Sequence, residues 1–209
     1  SVLMISILSH VVEFRNSESG QHVLHIRTLT GLLLHQLAQK TDRYQLDESD
    51  ISLISTASAL HDIGKIMIPE EILNKPGRLT EEEYATIKTH TTEGARILKG
   101  LAIGQDEPLV KVAHAICRWH HERWDGGGYP DRLKGDEIPI AAQVVALADV
   151  YDALTSERCY KRSYSHEKAV DMILHGECGS FNPLLMECLK ESSELLRTEL
   201  QRSEYDRGF

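Results

Sequence analysis

Long apolar runs are missing from this 209-residue sequence. No run approaches the roughly 20 residues that a membrane-spanning helix needs. Residues 1–5 are apolar, but they lack the basic flank and the small-residue cleavage site of a signal peptide. We therefore predict that this chain has no membrane span and no signal peptide.

Paired cysteines are also missing. The four cysteines are Cys117, Cys159, Cys178 and Cys188. None of them belongs to a C-x-x-C motif. Isolated cysteines are more typical of reduced thiols in a cytoplasmic protein than of a disulfide framework. We therefore expect a cytoplasmic location.

Positive charge is in deficit, with 23 basic and 32 acidic residues and a net charge of −9. A protein that binds a long nucleic acid needs a broad basic surface. The composition therefore argues against a long nucleic acid as partner. It leaves a small anionic substrate open, because metal ions inside a pocket can reverse the local field.

Strict alternation typical of strands is absent, whereas helical periodicity runs through nearly the whole chain. Residues 23–38 place an apolar stripe on one helix face. Thr80 and Glu83 have the spacing of a capping box, opening a helix that we expect to reach at least His90. Other helix starts are predicted at Pro108, Pro139, Ser165 and Asn182.

The predicted fold class is therefore all-α, in one domain over residues 1–209. We find no internal repeat and no linker composition. Residues 1–15 form an apolar helix that either packs on this domain or serves as a linker or dimerisation helix to an upstream domain.

Metal-binding residue types give the strongest functional signal. Glu18 and His22 are four residues apart, so they share a helix face if that segment is helical. Divalent metals accept imidazole nitrogen and carboxylate oxygen together, and a carboxylate can bridge two ions. The further candidate metal ligands are His61, Asp62, His90, His120, His121 and Asp149. Together with Glu18 and His22 they exceed what one ion needs, so we predict two or three ions.

These candidate residues, and others near them, can also be explained without a metal or a substrate. Asp149 follows an apolar run that reads as buried, so metal binding or a structural salt bridge would explain it. Glycines 126–128 form a weak signal alone, but they follow two histidines and would let a substrate approach closely. Tyr129 is open between a nucleotide contact and core packing. The remaining histidines are read as surface or core residues, namely His10, His25, His35, His114, His166 and His175.

Two separated motifs resemble a known family. Residues 61–65 (His-Asp-Ile-Gly-Lys) resemble the signature of the HD phosphohydrolase superfamily. Residues 120–122 (His-His-Glu) and 125–130 (Asp-Gly-Gly-Gly-Tyr-Pro) resemble the second signature of its HD-GYP branch. The similarity runs from about residue 18 to about residue 183.

The resemblance implies a helical bundle around two or three metal ions, commonly iron or manganese. It implies a phosphodiesterase that opens the second messenger cyclic di-GMP to pGpG, and onward to GMP, with a metal-activated hydroxide as nucleophile. Asp62 matches a bridging ligand, and the other ligand positions fall on His61, His90, His120, His121 and Asp149. Glu18 and His22 match the extra positions of the three-metal form. Lys65 matches a lysine acting near the scissile phosphate, and Tyr129, Arg158 and Lys161 match substrate-contacting positions.

The departures from the family pattern are small. Cys159 stands where the family often has proline, and His25 stands where arginine is common. Two rival functions remain at this stage: a phosphodiesterase for another cyclic dinucleotide, and a catalytically silent cyclic di-GMP receptor. A homodimer and an upstream sensor domain are the further partners that we expect.

Overall fold

The computed structural model describes residues 2–16, 21–101, 104–156 and 163–205. Residues 203–205 are described by their backbone alone. The described residues form helices and turns without a strand, as the all-α prediction requires. The helices are α1 (Val2–Arg15), α2 (Gln21–Lys40), α3 (Glu48–Ser58), α4 (Glu70–Leu73), α5 (Glu81–Lys88), α6 (His90–Lys99), α7 (Pro108–Trp119), α8 (Ile140–Thr155), α9 (His166–Leu174), α10 (Pro183–Glu191) and α11 (Ser193–Tyr205).

The predicted helix starts are confirmed by the caps. Thr80 accepts from the Glu83 amide while the Glu83 carboxylate accepts from the Thr80 amide, which completes the capping box of α5. Ser165 and Asn182 cap α9 and α10 with their side chains. Pro139 directly precedes α8, the helix expected there.

Two expected helices are each divided in two. The helix beginning at Thr80 ends at Lys88, and α6 starts at His90. At the break, the Thr89 amide bonds to the Thr86 carbonyl three residues back, which tightens the backbone out of α-helical geometry. The helix predicted to start at Asn182 likewise ends at Glu191, and α11 follows from Ser193.

The core lies between α2, α3, α7 and α8, which pack against one another. Helix α8 is buried around most of its circumference, because every residue from Ala141 to Ala148 except Gln143 is a small or branched apolar residue. Helix α6 packs on α7 and on the 3-10 segment Ile63–Met67 that follows α3. This arrangement brings the segments after α3 and α7 and the start of α6 close to α2 and α8.

Helix α1 lies outside this core. Its Arg15 guanidinium donates to the carbonyls of Lys65, Ile66 and Ile68, at 3.0, 2.6 and 2.8 Å. Its outer face exposes large apolar side chains, with Phe14 80% exposed. Its expected role as a linker or dimer helix stays a prediction. None of the described helices is long and apolar enough to cross a bilayer.

Candidate metal centre

Seven of the predicted ligand side chains converge in two adjoining groups. The first group holds Asp62, His90, His120 and His121, and the second holds His22, His61 and Asp149. Within each group, one candidate ligand atom per residue lies within 4.8 Å of all the others. The residues come from α2, α6, α8 and the segments after α3 and α7, so the site exists only in the folded domain.

Asp62 connects the two groups. Its Oδ1 lies 3.3 Å from His90 Nε2 and 3.7 Å from His120 Nε2, both in the first group. Its Oδ2 lies 3.2 Å from His61 Nε2 in the second group. A carboxylate with one oxygen toward each group has the geometry for bridging two cations.

Three histidines are held by backbone carbonyls at helix ends. The Nδ1 atoms of His61, His90 and His120 lie 2.8, 2.7 and 2.8 Å from the carbonyl oxygens of residues 58, 87 and 116. Carbonyls in the last turn of a helix lack an intrahelical partner and are free to accept. Because a carbonyl can only accept, Nδ1 donates, and in the neutral ring Nε2 keeps a lone pair that faces the centre.

His22 is held by a side chain instead. Its Nδ1 lies 2.6 Å from Oδ2 of Asp152, a carboxylate that is 1% exposed. The other Asp152 oxygen lies 2.7 Å from His25 Nδ1 and accepts from the Ser156 hydroxyl at 3.0 Å. Sequence reasoning missed Asp152 and treated His25 as ordinary. The available signal was the i, i+3 spacing from Asp149, which places both carboxylates on one face of α8.

Two glycines are required by close packing at the site. A Cβ on Gly64 would lie 1.8 Å from the His90 carbonyl oxygen, so only glycine lets the segment after α3 touch the start of α6. A Cβ on Gly128 would lie 2.4 Å from the His121 carbonyl oxygen. Close approach of the backbones is therefore the reason for glycine at both positions.

The loop after His121 is fixed from inside. The buried Glu122 carboxylate accepts from the amides of Asp131 and Leu133, at 2.7 and 3.0 Å. The Tyr129 ring stacks on the His121 ring, with centroids 4.9 Å apart and planes inclined by 17°. Tyr129 therefore lies against the first group rather than in the hydrophobic core.

The charges of the site suit bound cations. Two pairs of Nε2 atoms face each other, 3.3 Å apart in His22–His61 and 3.5 Å apart in His90–His120. Burial lowers the pKa of His90 to about 4, and burial together with the neighbouring His120 lowers the pKa of His121. His90 and His121 are therefore neutral imidazoles, which is the form that binds a divalent metal.

The acidic residues add negative charge to this centre. Although burial acts against ionisation, Lys65 and His61 hold the pKa of Asp62 well below its usual value. Burial also opposes a charge on His61, but the Asp62 carboxylate outweighs it and raises the His61 pKa to about 9. Lys65 Nζ lies 2.7 Å from Asp62 Oδ2, at the predicted place beside the bridging carboxylate. The Asp149 side chain is 20% exposed, so it is less buried than its apolar sequence context suggested.

Three predicted site residues, Glu18, Arg158 and Lys161, lie outside the described residues. The histidines read as ordinary take no part in either group, although His25 bonds to the Asp152 carboxylate that holds His22. His166, for example, bridges the Tyr151 hydroxyl at 2.6 Å and the Ser193 hydroxyl at 2.7 Å. Cys117 and Cys188 are free thiols.

The fold and the site together define the class: an all-helical domain built around a histidine and aspartate centre able to hold divalent metal ions. Residues 3–180 match the family described as HD domain. The chain belongs to the HD domain family, which confirms the resemblance seen in its motifs.

Curated relatives support this assignment. A cyclic di-GMP phosphodiesterase of Thermotoga maritima is 38% identical over 97% of this chain and 52% of its own length. Two proteins of Vibrio cholerae are each 40% identical to this chain. One is a cyclic di-GMP phosphodiesterase, matched over 86% of this chain and 37% of its own length. The other is 3′3′-cGAMP-specific phosphodiesterase 2, matched over 88% of this chain and 33% of its own length. The chain thus spans about a third to a half of these relatives.

Solved structures share the fold. A cyclic GMP-AMP-specific phosphodiesterase of V. cholerae aligns with a TM-score of 0.65 at 21% identity, over 95% of this chain and 50% of that one. A Bdellovibrio bacteriovorus protein described as an HDG"Y"P protein aligns with a TM-score of 0.59 at 21% identity, over 84% and 51%.

Proposed function

We propose that the chain is a metal-dependent phosphodiesterase that hydrolyses cyclic di-GMP to pGpG, and onward to GMP. The observation that carries the proposal is the pair of ligand groups joined through Asp62, whose two oxygens face His90 and His61. Two adjoining cation sites are suited to the attacking and leaving oxygens of a phosphodiester displacement. The names of several curated relatives support the substrate.

We propose two or three divalent ions, of iron or manganese, as cofactors. His90, His120, His121 and Asp62 would hold one, and His22, His61, Asp149 and Asp62 another. Glu18 would complete a third site. When bound, the ions would supply Lewis-acid stabilisation of the phosphate and a water acidified enough to act as nucleophile.

The chain's own groups would do the remaining work. Lys65, held 2.7 Å from Asp62, is the proposed acid that gives a proton to the leaving 3′-oxygen. Arg158 and Lys161 would neutralise phosphate oxygens as charge builds up. Tyr129, stacked on His121, would contact the nucleotide beside the scissile bond. A cytoplasmic location, a homodimer and an upstream sensor domain complete the proposal.

A second substrate has specific support. The relative named for 3′3′-cGAMP is as similar to this chain as the V. cholerae relative named for cyclic di-GMP, at 40% identity each. The difference between these substrates is one base, so the metal centre would serve either. The silent-receptor alternative has less support, because seven of eight candidate ligands converge and the eighth, Glu18, is present in the sequence.

The test is metal analysis of anaerobically purified protein together with chromatography of products from cyclic di-GMP and from 3′3′-cGAMP. We expect at least two equivalents of iron or manganese, with pGpG or GMP formed from cyclic di-GMP. Faster turnover of 3′3′-cGAMP would move the assignment to that substrate. Metal-loaded protein that binds cyclic di-GMP without product would establish the receptor instead.

A further inference from the structure

The side chains of Tyr129, Lys88 and Tyr84 form a continuous layer from the metal centre to the surface. We call these three residues the aromatic rim. Resting on the proposed function, we infer that Tyr84 and Lys88 form a subsite for one purine nucleotide of the substrate. Tyr84 stacks on the base, and Lys88 contacts its phosphate.

The geometry of the rim leads outward in short steps. The Tyr129 ring lies 4.9 Å from the His121 ring. The Lys88 ammonium lies 5.5 Å from the Tyr129 ring centroid and 4.9 Å from the Tyr84 ring centroid. A dinucleotide with one phosphate at the metal centre would extend along this layer.

Lys88 is placed to receive an anion. No carboxylate within the described part of the chain pairs with it, although α5 is rich in glutamate. The nearest candidate on its own helix, Glu83, pairs with Lys75 at 2.7 Å. A partly buried ammonium whose described neighbours are two aromatic faces retains hydrogen-bond donors for a phosphate.

Tyr84 offers a face for a base. Its side chain is 50% exposed, whereas Tyr129 is partly buried. Stacking on aromatic side chains is a general way in which proteins bind splayed nucleotide bases.

The alternative is that Tyr84 and Lys88, four residues apart on one helix, contact each other on the surface and have no role in binding. That alternative gives the pair no contact with substrate. It therefore predicts an unchanged KM for cyclic di-GMP and an unchanged Kd for GMP when either residue is replaced.

The test compares Tyr84→Ala, Tyr84→Phe and Lys88→Gln with the metal-loaded parent, using KM and kcat for cyclic di-GMP and the Kd of GMP. Lys168→Gln on the exposed face of α9 is the matched control. Tyr84→Ala and Lys88→Gln should each raise KM and the Kd by about tenfold, with a smaller change in kcat. Tyr84→Phe, which keeps the ring, should behave like the parent.

The outcomes separate the two proposals. Unchanged constants in a parent that hydrolyses cyclic di-GMP overturn the rim and leave the function standing. A parent without turnover whose GMP affinity falls in Tyr84→Ala keeps the rim and overturns the hydrolase. A parent that neither binds nor hydrolyses overturns both.

Discussion

The two ligand groups differ in how one of their histidines is held in place. In the first group, His90 and His120 are anchored on backbone carbonyls of the preceding helix turn. In the second group, His61 has the same kind of anchor on the Ser58 carbonyl, but His22 is anchored on the Asp152 side chain, which reaches it from another helix. A carbonyl anchor depends on local backbone geometry, whereas a carboxylate anchor depends on the packing of α2 against α8. The second group should therefore be the more easily altered by substitution.

Asp62→Ala removes the residue that both groups share, and we expect the largest effect from it. Both groups should lose affinity for metal, and activity should fall by more than about 10³-fold. Metal analysis and turnover of cyclic di-GMP measure the two losses. Asp171→Ala, at an exposed carboxylate of α9, is the control. Full metal occupancy with intact turnover would refute the bridging role.

Gly64→Ala tests the backbone geometry behind the first group. The new methyl group would lie 1.8 Å from the His90 carbonyl oxygen, so the segments must move apart. Overpacking of this kind costs about 1–3 kcal/mol, which thermal denaturation would detect. Gly100→Ala is the control, because its Cβ would meet nothing closer than 3.3 Å. Equal melting temperatures for the two variants would contradict the close approach.

Asp152→Asn tests the carboxylate anchor of the second group. The amide cannot accept from His22 and His25 as a carboxylate does, so the His22 ring loses its fixed orientation. Loss of such a support typically lowers metal affinity by about 10–100-fold. Metal titration should show one weakened site beside one of unchanged affinity. Equal weakening at both sites would mean that the anchors are not independent.

His25→Gln should give the smallest effect. It removes the hydrogen bond to Asp152 Oδ1 but leaves the 2.6 Å contact between Asp152 and His22. We expect the second site to weaken by less than about tenfold, since the ligand keeps its direct anchor. The same titration measures it. An effect as large as that of Asp152→Asn would make His25 an equal part of the anchor.

The sequence anticipated the features that depend on short spacing. The capping box at Thr80 needs residues three apart, and the match of residues 61–65 to a known motif needs no knowledge of packing. Such patterns were enough to predict the helix starts and the seven candidate ligands that converge.

The features that depend on packing were not anticipated. The role of Asp152 appears only when α8 lies against α2, because the sequence gives no partner for a carboxylate 130 residues from His22. The break at Thr89 likewise has no glycine or proline to mark it. The Lys88 contact with Tyr129 also joins segments that are distant in the sequence.

The bond between His22 and Asp152 also has a consequence for folding kinetics. It closes a loop of 130 residues, so it is among the most non-local contacts of the domain. Contacts of this range form only after much chain entropy has been lost, which tends to make them late steps. A cation held between α2, α8 and the segment after α3 would bind little to the unfolded chain. Bound metal should therefore stabilise contacts that form late, so that it slows unfolding more than it speeds folding.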